Sequence, residues 1–559
     1  MQKLFNFVEG EVKGLHEAAY LLGSFALFST LLALYRDRLL AATFGAGEML
    51  DIYYAAFRIP DIVFVSIASL VSVFILVPIL TQPDSNSDRH TIMGNVMAGF
   101  STLMLIVTTI LWFLLPQLLS LLFPDLVSRQ NGLLILLSRI LLLQPIFLGF
   151  SGILASVTQV HGRYLLYAIA PLLYNIGILF GIVGLYPLFG MPGIAYGVVL
   201  GALLHMGIQV PFALRVGYLR PADLRLRPRK LWRIISVSIP RTISISANQL
   251  ALLVLIAMAA TLGAGSVSVF SLAFNLQAAP LSIIGASYSV AAFPTLARFF
   301  SKGQTRQFCD QIITASRHII FWSIPLMSLV VVLRAHIVRV ILGSGSFDWA
   351  DTRLTSAALA LFIISLTAQA LSLLFVRGYY AAGETMKPLL VNVATAVGVV
   401  GGGYWLTIVF QQNDVWRFFV EELLRVENIR GTEILMLPLS YAIFSVVNVL
   451  IFSILYERDF GVFRRRIGKP LFESFSAAVV AGFFAYQTLD ILDNVLDINT
   501  FIGVFLLGLF AGVAGIAAGV VLLHVLQNRE IKEVWETLHH KIWRYIPIFS
   551  GGTERGTDM

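Results

Sequence analysis

Apolar residues run through this chain in long continuous stretches, not in the two-residue alternation of a half-buried strand. Stretches long enough to cross a bilayer as helices lie at 17–43, 51–80, 92–119, 132–159, 164–184, 192–214, 234–261, 267–297, 316–342, 354–380, 387–410, 435–456, 471–489 and 500–527. In lipid the backbone must satisfy its own hydrogen bonds, and runs of this length do so as helices, not as barrel strands. The pattern therefore predicts an all-α polytopic membrane protein of about fourteen transmembrane helices.

The polar positions between the stretches supply the orientation. The loop 215–233 carries Arg215, Arg220, Arg225, Arg227, Arg229, Lys230 and Arg233, and the loop 457–470 carries Arg458, Arg464, Arg465, Arg466 and Lys469. Arg298, Lys302 and Arg306 follow the eighth stretch. The alternate loops 44–50, 185–191, 262–266 and 343–351 contain no Lys or Arg, and 490–499 is acidic. Basic loops stay cytoplasmic, so both termini are expected there. Met1 to Lys13 has mixed charges and no small-residue cleavage site, which makes the first helix the expected insertion signal.

The pattern also repeats. Ala41-Ala42-Thr43-Phe44-Gly45-Ala46-Gly47 returns as Ala259-Ala260-Thr261-Leu262-Gly263-Ala264-Gly265. Pro171-Leu172-Leu173-Tyr174-Asn175 returns as Pro388-Leu389-Leu390-Val391-Asn392. The shared offset of about 217 residues spans about six helices, an even number, so the copies run parallel. This predicts an N-lobe at 1–214, a basic linker at 215–233, a C-lobe at 234–457 and two extra helices within 470–527. Two further segments are amphipathic. Trp416, Phe419, Val420, Leu423 and Leu424 recur at helical spacing within an external insert, 412–434. Ile531, Trp535, Leu538 and Ile542 do so in a cytoplasmic tail, 528–559.

Composition narrows the class. Of 559 residues, 58% are hydrophobic and 13% charged, well beyond the apolar share of a soluble domain. The net charge of +8 lies in loops between spans and marks topology, not a nucleic-acid groove. The single cysteine, Cys309, excludes a disulfide framework and a cysteine-rich metal site. No phosphate-binding glycine loop, metal-ligand cluster or nucleophile–base constellation is present, so an enzyme is not expected, nor is a cofactor.

Charges inside spans are costly and mark candidate sites. Arg36, Asp37 and Arg38 lie toward the outer end of the first span, and Asp51, Arg58 and Asp61 lie on the second. Asp51 and Arg58, seven positions apart on one helical face, are expected to join the first-span charges in an ion network. Arg241 opens the seventh span. Mutual neutralisation is the structural alternative for the cluster, since buried ions pair. For Arg139 and Arg339 that alternative is snorkelling or local pairing, and for His205 and His336 it is an interior hydrogen bond. Arg334 lies beside His336.

At Ser29, Arg36-Asp37, Phe44-Gly45-Ala46-Gly47, Asp51, Phe57-Arg58-Ile59-Pro60 and Val77-Pro78-Ile79-Leu80 the chain resembles the MurJ/MviN family of the multidrug/oligosaccharidyl-lipid/polysaccharide exporter superfamily. Gly263-Ala264-Gly265-Ser266-Val267, Asn275-Leu276-Gln277, Ala292-Phe293-Pro294-Thr295-Leu296 and Tyr379-Tyr380-Ala381 leading to Thr385-Met386-Lys387-Pro388 extend the resemblance over nearly the whole chain. It implies two lobes in a V around a cationic cavity, with the last two helices forming a groove for a polyprenyl tail. The implied activity is lipid II flipping by alternating access: an undecaprenyl-pyrophosphate glycan crosses from the inner to the outer leaflet of the bacterial plasma membrane. The implied driving force is a Na+ or H+ gradient or the membrane potential, and cell-wall synthesis machinery is an implied partner. Departures accompany it. Thr30, the stretch Asp61-Ile62-Val63-Phe64 beyond the span-2 proline, and Asn275 stand where family members carry arginine, and Leu255 stands in place of an acid linked to sodium binding in some members. Arg36, Arg38, Arg58, Arg241 and Asn275 are the candidate substrate contacts; Asp37, Asp51, Asp61 and Asn392 are the candidate gating or ion-network residues. The lost arginines leave three other readings open: a flippase for another polyprenyl-pyrophosphate glycan, an ion-coupled exporter of small amphiphiles, or a non-transporting scaffold of the same fold.

Overall fold

The computed structural model describes residues 15–68, 86–129, 132–218, 228–461, 463–498 and 500–542. Among them there is no strand. In chain order the principal helices are α1 (Leu15–Phe44), α2 (Glu48–Ala56), α3 (Arg58–Ala68), α4 (Asn86–Leu122), α5 (Leu133–Val160), α6 (Tyr164–Phe189), α7 (Met191–Val216), α8 (Pro228–Thr261) and α9 (Ser266–Ser301). They continue with α10 (Thr305–Ile341), α11 (Trp349–Ile363), α12 (Leu366–Ala381), α13 (Met386–Gln412), α14 (Asp414–Leu424), α15 (Met436–Phe460), α16 (Arg464–Asp493), α17 (Phe501–Val525) and α18 (Arg529–Ile542). Eleven helices among the described residues are long and apolar enough to cross a membrane, or twelve if the pair α11–α12, bent by 43°, is one span. The expected first span is α1. The expected second span is broken at Phe57 into α2 and α3 and continues, with the Val77–Leu80 motif, outside the described residues. Pro60, three residues past the break, removes a backbone donor there.

Two compact units divide the chain. The first comprises Met1–Ala279, Val338–Phe362 and Gly383–Asn448; the second comprises Pro280–Ile337, Ile363–Ala382 and Val449–Met559. The boundary inside α9 falls at Pro280, next to a π-turn at Ser282–Ala286, where the helical ladder is already interrupted. The units cut across the expected C-lobe because its segments 262–279 and 338–362 make their contacts with the first half of the chain.

In the first unit, α6 and α7 meet along small residues. A Cβ placed on Gly177 would lie 2.2 Å from the Cα of Gly201, so only glycine permits that approach. Helix α3 packs on α5 and α8, and Val63, Ile67, Phe100, Leu154 and Phe212 belong to one buried cluster. The repeat is visible in pairing: α1 packs on α6 as α8 packs on α13. Each pair is tied by the repeated asparagine. Asn175 donates to the Ser29 hydroxyl at 3.3 Å, and Asn392 donates to the Ser244 hydroxyl at 3.0 Å.

Helix α14 follows the α13 span after one residue, Asn413, whose side chain caps it by accepting from the Trp416 amide at 3.0 Å. The apolar side expected from the sequence divides in two. Val420 and Leu424 are buried and Trp416 is half-buried, whereas Phe419 and Leu423 are exposed together with Val415 and Phe418.

In the second unit, α16 and α17 form a close antiparallel pair whose outward residues include Phe472, Phe475, Phe483, Phe505 and Val513, as expected of a lipid-facing surface. Tail helix α18 is fastened by Asn528, which donates to Glu473 at 2.6 Å and caps the Ile531 amide at 3.0 Å. Arg317 pairs with the buried Glu530 at 2.5 Å. Trp535, on the face away from these bonds, is exposed.

Candidate functional site

Three loops without Lys or Arg meet in the first unit: Phe44–Gly47 after α1, Leu262–Gly265 after α8 and Leu342–Asp348 after α10. Their glycines allow backbone to touch backbone. A Cβ on Gly265, where φ is +88°, would lie 2.1 Å from the Ala46 carbonyl oxygen. One on Gly345, where φ is +58°, would lie 2.3 Å from that of Ala42. The Ser346 amide donates to the Ala42 carbonyl at 2.8 Å.

Around this contact, the first half of the chain caps helix ends in the second, and the second holds the turn between α1 and α2. Asp51, on α2, is buried at 1% exposure and takes the amides of Gly265 at 2.6 Å and Ser268 at 2.7 Å, and the Ser268 hydroxyl at 2.5 Å. Those donors open α9, so a carboxylate from the first half supplies the N-terminal cap of a helix in the second. Arg38, on α1, donates to the carbonyl of Val340 at 2.5 Å, placing a cation at the C-terminus of α10. In return Asp351, in the first turn of α11, accepts from the Ala46 amide at 3.0 Å. Hydrogen bonds to a charged group contribute about 1.5–3 kcal/mol each when well buried. Opening this closure therefore costs several kcal/mol unless a ligand or a field favours the open form.

The expected Asp51–Arg58 coupling is not what forms. The i,i+7 argument assumes one continuous helix, and α2 ends before Phe57. Asp51 is committed to α9, while Arg58 donates its Nε to the Tyr54 carbonyl at 3.1 Å. Arg38, expected at the substrate, lies in the closure.

A second group of charges lies on α1 and α3, beside Asn175 and Tyr174 of α6. Arg36 pairs with Asp37 at 2.7 Å and donates to the Asn175 side-chain oxygen at 3.3 Å. The other Asp37 oxygen accepts from Asn275 at 3.1 Å. Asn275, at a position where the resemblance leads one to expect arginine, thus completes the Asp37 shell. Arg58 and Asp61 face one another one turn apart without a mutual hydrogen bond; both are half-buried, deep among helices yet with accessible surface. Tyr53, Tyr54 and Tyr174 surround the group, and the Tyr54 hydroxyl has no partner among the described residues. Thr30 is half-buried and turns its hydroxyl to the Ala26 carbonyl of its own helix. The side chain of Arg241 lies outside the described residues. Asn392 closes a neutral cluster, accepting from Asn448 at 3.3 Å, and Asn448 donates to Thr395 at 2.7 Å.

The remaining intramembrane candidates have local partners. Arg139 and Arg339 each lie over a tryptophan ring, Trp112 and Trp349, at 5.2 Å. His205 hydrogen-bonds the Ser151 hydroxyl at 2.6 Å. The sequence reading missed Ser268, Ser346 and Asp351, although the loop 343–351, without Lys or Arg, and the repeated glycine turn were the signals that pointed to them. It also missed Arg377, on α12, which donates to the Ser289 hydroxyl and, at 3.0 Å, to the Ala286 carbonyl at the end of the α9 π-turn. No group of acids, histidines or cysteines that could hold a metal ion occurs among the described residues.

Known proteins give this geometry a place. A solved structure described as lipid II flippase MurJ in an inward closed conformation aligns with a TM-score of 0.71 at 19% identity, covering 91% of this chain and all of that one. An inward-facing multidrug resistance MATE family transporter aligns with a TM-score of 0.62 at 16% identity, over 79% of this chain and 95% of the other. These likenesses establish the fold. In sequence, a probable lipid II flippase MurJ of Bdellovibrio bacteriovorus is 28% identical, covering 68% of this chain and 75% of the relative. The lipid II flippase MurJ of Burkholderia cenocepacia is 24% identical over 69% and 76%. The profile of the lipid II flippase MurJ family matches residues 40–415, a stretch that contains Asp51, Arg58, Asp61, Asn275 and Asp351. This chain belongs to the MurJ lipid II flippase family, as a multi-pass helical protein of the bacterial inner membrane.

Proposed function

We propose that the protein flips lipid II, an undecaprenyl-diphosphate-linked peptidoglycan precursor, from the inner to the outer leaflet. The observation that carries this reading is the family match over 40–415, which includes Asp51, Asp351 and the three loops of the closure, and both ionic residues of α3. A diphosphate-sugar headgroup does not cross hydrocarbon unaided, and guanidinium groups inside the bundle replace its hydration with charge-assisted hydrogen bonds. With Thr30, the stretch Asp61-Ile62-Val63-Phe64 and Asn275 in place of family arginines, Arg58 and Arg36 are the cations of the first half that meet the diphosphate. Arg58 is the more available, because Arg36 is already held by Asp37 and Asn175.

In this reading the closure is the external gate. Its three loops lack Lys and Arg, whereas the loops 215–233 and 457–470 are rich in them, a pattern that supports cytoplasmic termini. The helix-end caps at Asp51 and Arg38 and the turn contact at Asp351 hold the outer side shut while the headgroup enters from the cytoplasm. The pair α16–α17 lies against lipid, where a polyprenyl tail would run. A gradient or the membrane potential drives the cycle, since a charge moved through 100 mV carries about 2.3 kcal/mol.

Complementation tests the reading. Expressed in a bacterium depleted of its own lipid II flippase, the protein is expected to restore growth and to move lipid II to the outer leaflet. Arg58→Ala is expected to lose both at equal membrane abundance. Growth failure with an abundant, folded wild-type protein would favour a different polyprenyl-diphosphate glycan, the reading to which Thr30 and Asn275 give room. A reporter after Gly345 is expected outside and one after Arg220 inside; the same side for both would overturn the gate's orientation.

A further inference from the structure

Four carboxylates among the described residues of α1–α3 are buried or half-buried, Asp37, Glu48, Asp51 and Asp61, and they differ in how they are satisfied; Glu48 stands in the first turn of α2, ten positions before Arg58, with one oxygen unpartnered. Asp37 has Arg36 on one oxygen and Asn275 on the other. Asp51 has three donors from the start of α9. Asp61 accepts no hydrogen bond among the described residues, and its charge is opposed by Arg58 alone. An ionised carboxylate without donors is costly inside a helical bundle. A guanidinium one turn away faces it and opposes its charge.

That guanidinium is also the cation best placed for a diphosphate. We propose that Asp61 is the counter-anion of this site, neutralising Arg58 in the empty protein and taking up a proton from water when a lipid diphosphate occupies Arg58. The proposal rests on the lipid-diphosphate reading and adds its proton linkage. Among the described side chains no other neutraliser faces the pair. Arg36 and Asp37 on α1 cancel one another, and α2 and α6 present Tyr53, Tyr54 and Tyr174. On α5, Arg139 is stacked on Trp112. Helix α8 presents Ser246, bonded to Ser66 at 2.9 Å, and no charged side chain among the described ones. Binding the diphosphate sets anionic oxygens against the same arginine. Two anions then compete for one cation, and the carboxylate without donors is the one that is protonated. No bond other than the new O–H forms, and the carboxylic acid regains its charge when the headgroup leaves. The unpartnered Tyr54 hydroxyl stands beside this exchange as a hydrogen-bond donor for either anion.

The test is titration calorimetry of the full-length, detergent-solubilised protein with undecaprenyl diphosphate, in paired buffers of different ionisation enthalpy. The wild type is expected to take up about one proton more per lipid bound than Asp61→Asn does, because linkage counts the group that changes state. Wild-type affinity should rise about tenfold for each unit of acidification in the range where Asp61 changes state, beyond any dependence that Asp61→Asn retains from the lipid itself. Asp61→Asn is expected to bind at least as tightly at pH 8, where the wild-type carboxylate competes most strongly. Equal proton uptake in the two proteins would overturn the proposal, as would loss of binding in an Asp61→Asn protein with a wild-type melting temperature. Should that variant fold poorly, Asp61→Ser serves the same comparison. A wild type that does not bind the probe, in a sample of native melting temperature, overturns the lipid-diphosphate reading itself, and this inference with it.

Discussion

Replacing Asp51 by alanine is expected to unseat the outer closure. The substitution leaves the amides of Gly265 and Ser268 and the Ser268 hydroxyl without their acceptor, at the N-terminus of α9. Loss of a buried charged acceptor with several donors costs about 3–5 kcal/mol by analogy with broken buried ion pairs. A change of 1.4 kcal/mol is tenfold in an equilibrium, so the closed population should fall by more than about a hundredfold relative to the open one. The expected phenotype is a folded protein that binds lipid weakly from the cytoplasmic side and flips it at a small fraction of the normal rate. Asp51→Asn keeps an oxygen acceptor and should lie between wild type and alanine. Solvent accessibility of a cysteine placed at Ala46, in a background lacking Cys309, reads the closure directly. Accessibility equal to wild type in Asp51→Ala would mean that glycine packing alone holds the loops together.

Replacing Arg58 by alanine is the second large change, and its signature differs. Arg58 lies away from the closure, and its Nε bond goes to the Tyr54 carbonyl of its own segment. The structure should survive its loss. Substrate affinity should not, because one charge-assisted contact to a phosphate contributes about 1.5–3 kcal/mol. A ten- to hundredfold weaker Kd for undecaprenyl diphosphate is expected, with about that loss in flipping at low substrate. Arg58→Lys should recover part of the affinity, since an ammonium lacks the planar fork of guanidinium. Arg38→Ala is the contrasting variant. It removes the cap on α10 and should alter gating while leaving diphosphate affinity of the cytoplasm-open form near wild type. Equal affinity losses in the two alanine variants would show that the closure and the binding site are not separate.

The sequence carried the scaffold in readable form. Continuous apolar stretches and the alternation of basic loops marked the helices, and the copy of Phe44–Gly47 at Leu262–Gly265 marked the repeat. Those two glycine turns proved to be where the halves meet. Arg36, Asp37, Arg58 and Asp61 were legible because a charge in an apolar run is rare and costly. Their partners were less so. Asp51 was flagged, but its donors lie 214 and 217 residues further along the chain, and no local spacing points to them. The i,i+7 pairing with Arg58 failed because the helix breaks at Phe57, and Pro60, its visible cue, lies beyond that break. Arg38 was read as a substrate cation because its sign is visible in sequence while the helix C-terminus it caps is not. The two faces of α14 were merged for a related reason: Phe419 and Leu423 satisfy helical periodicity, but periodicity does not tell which apolar residues meet protein and which remain outside.

The central claim is that Asp51, Arg38 and Asp351 form a gate that opens during transport. It is tested most directly by the distance between spin labels at Thr43 and Thr261, both exposed and beside the closure, in the protein reconstituted in lipid bilayers without Cys309. Without substrate the account predicts one short distance. With lipid II present it predicts a second, longer population, which becomes dominant in Asp51→Ala even without substrate. A single short distance under all these conditions, in a protein that flips lipid II, would contradict it.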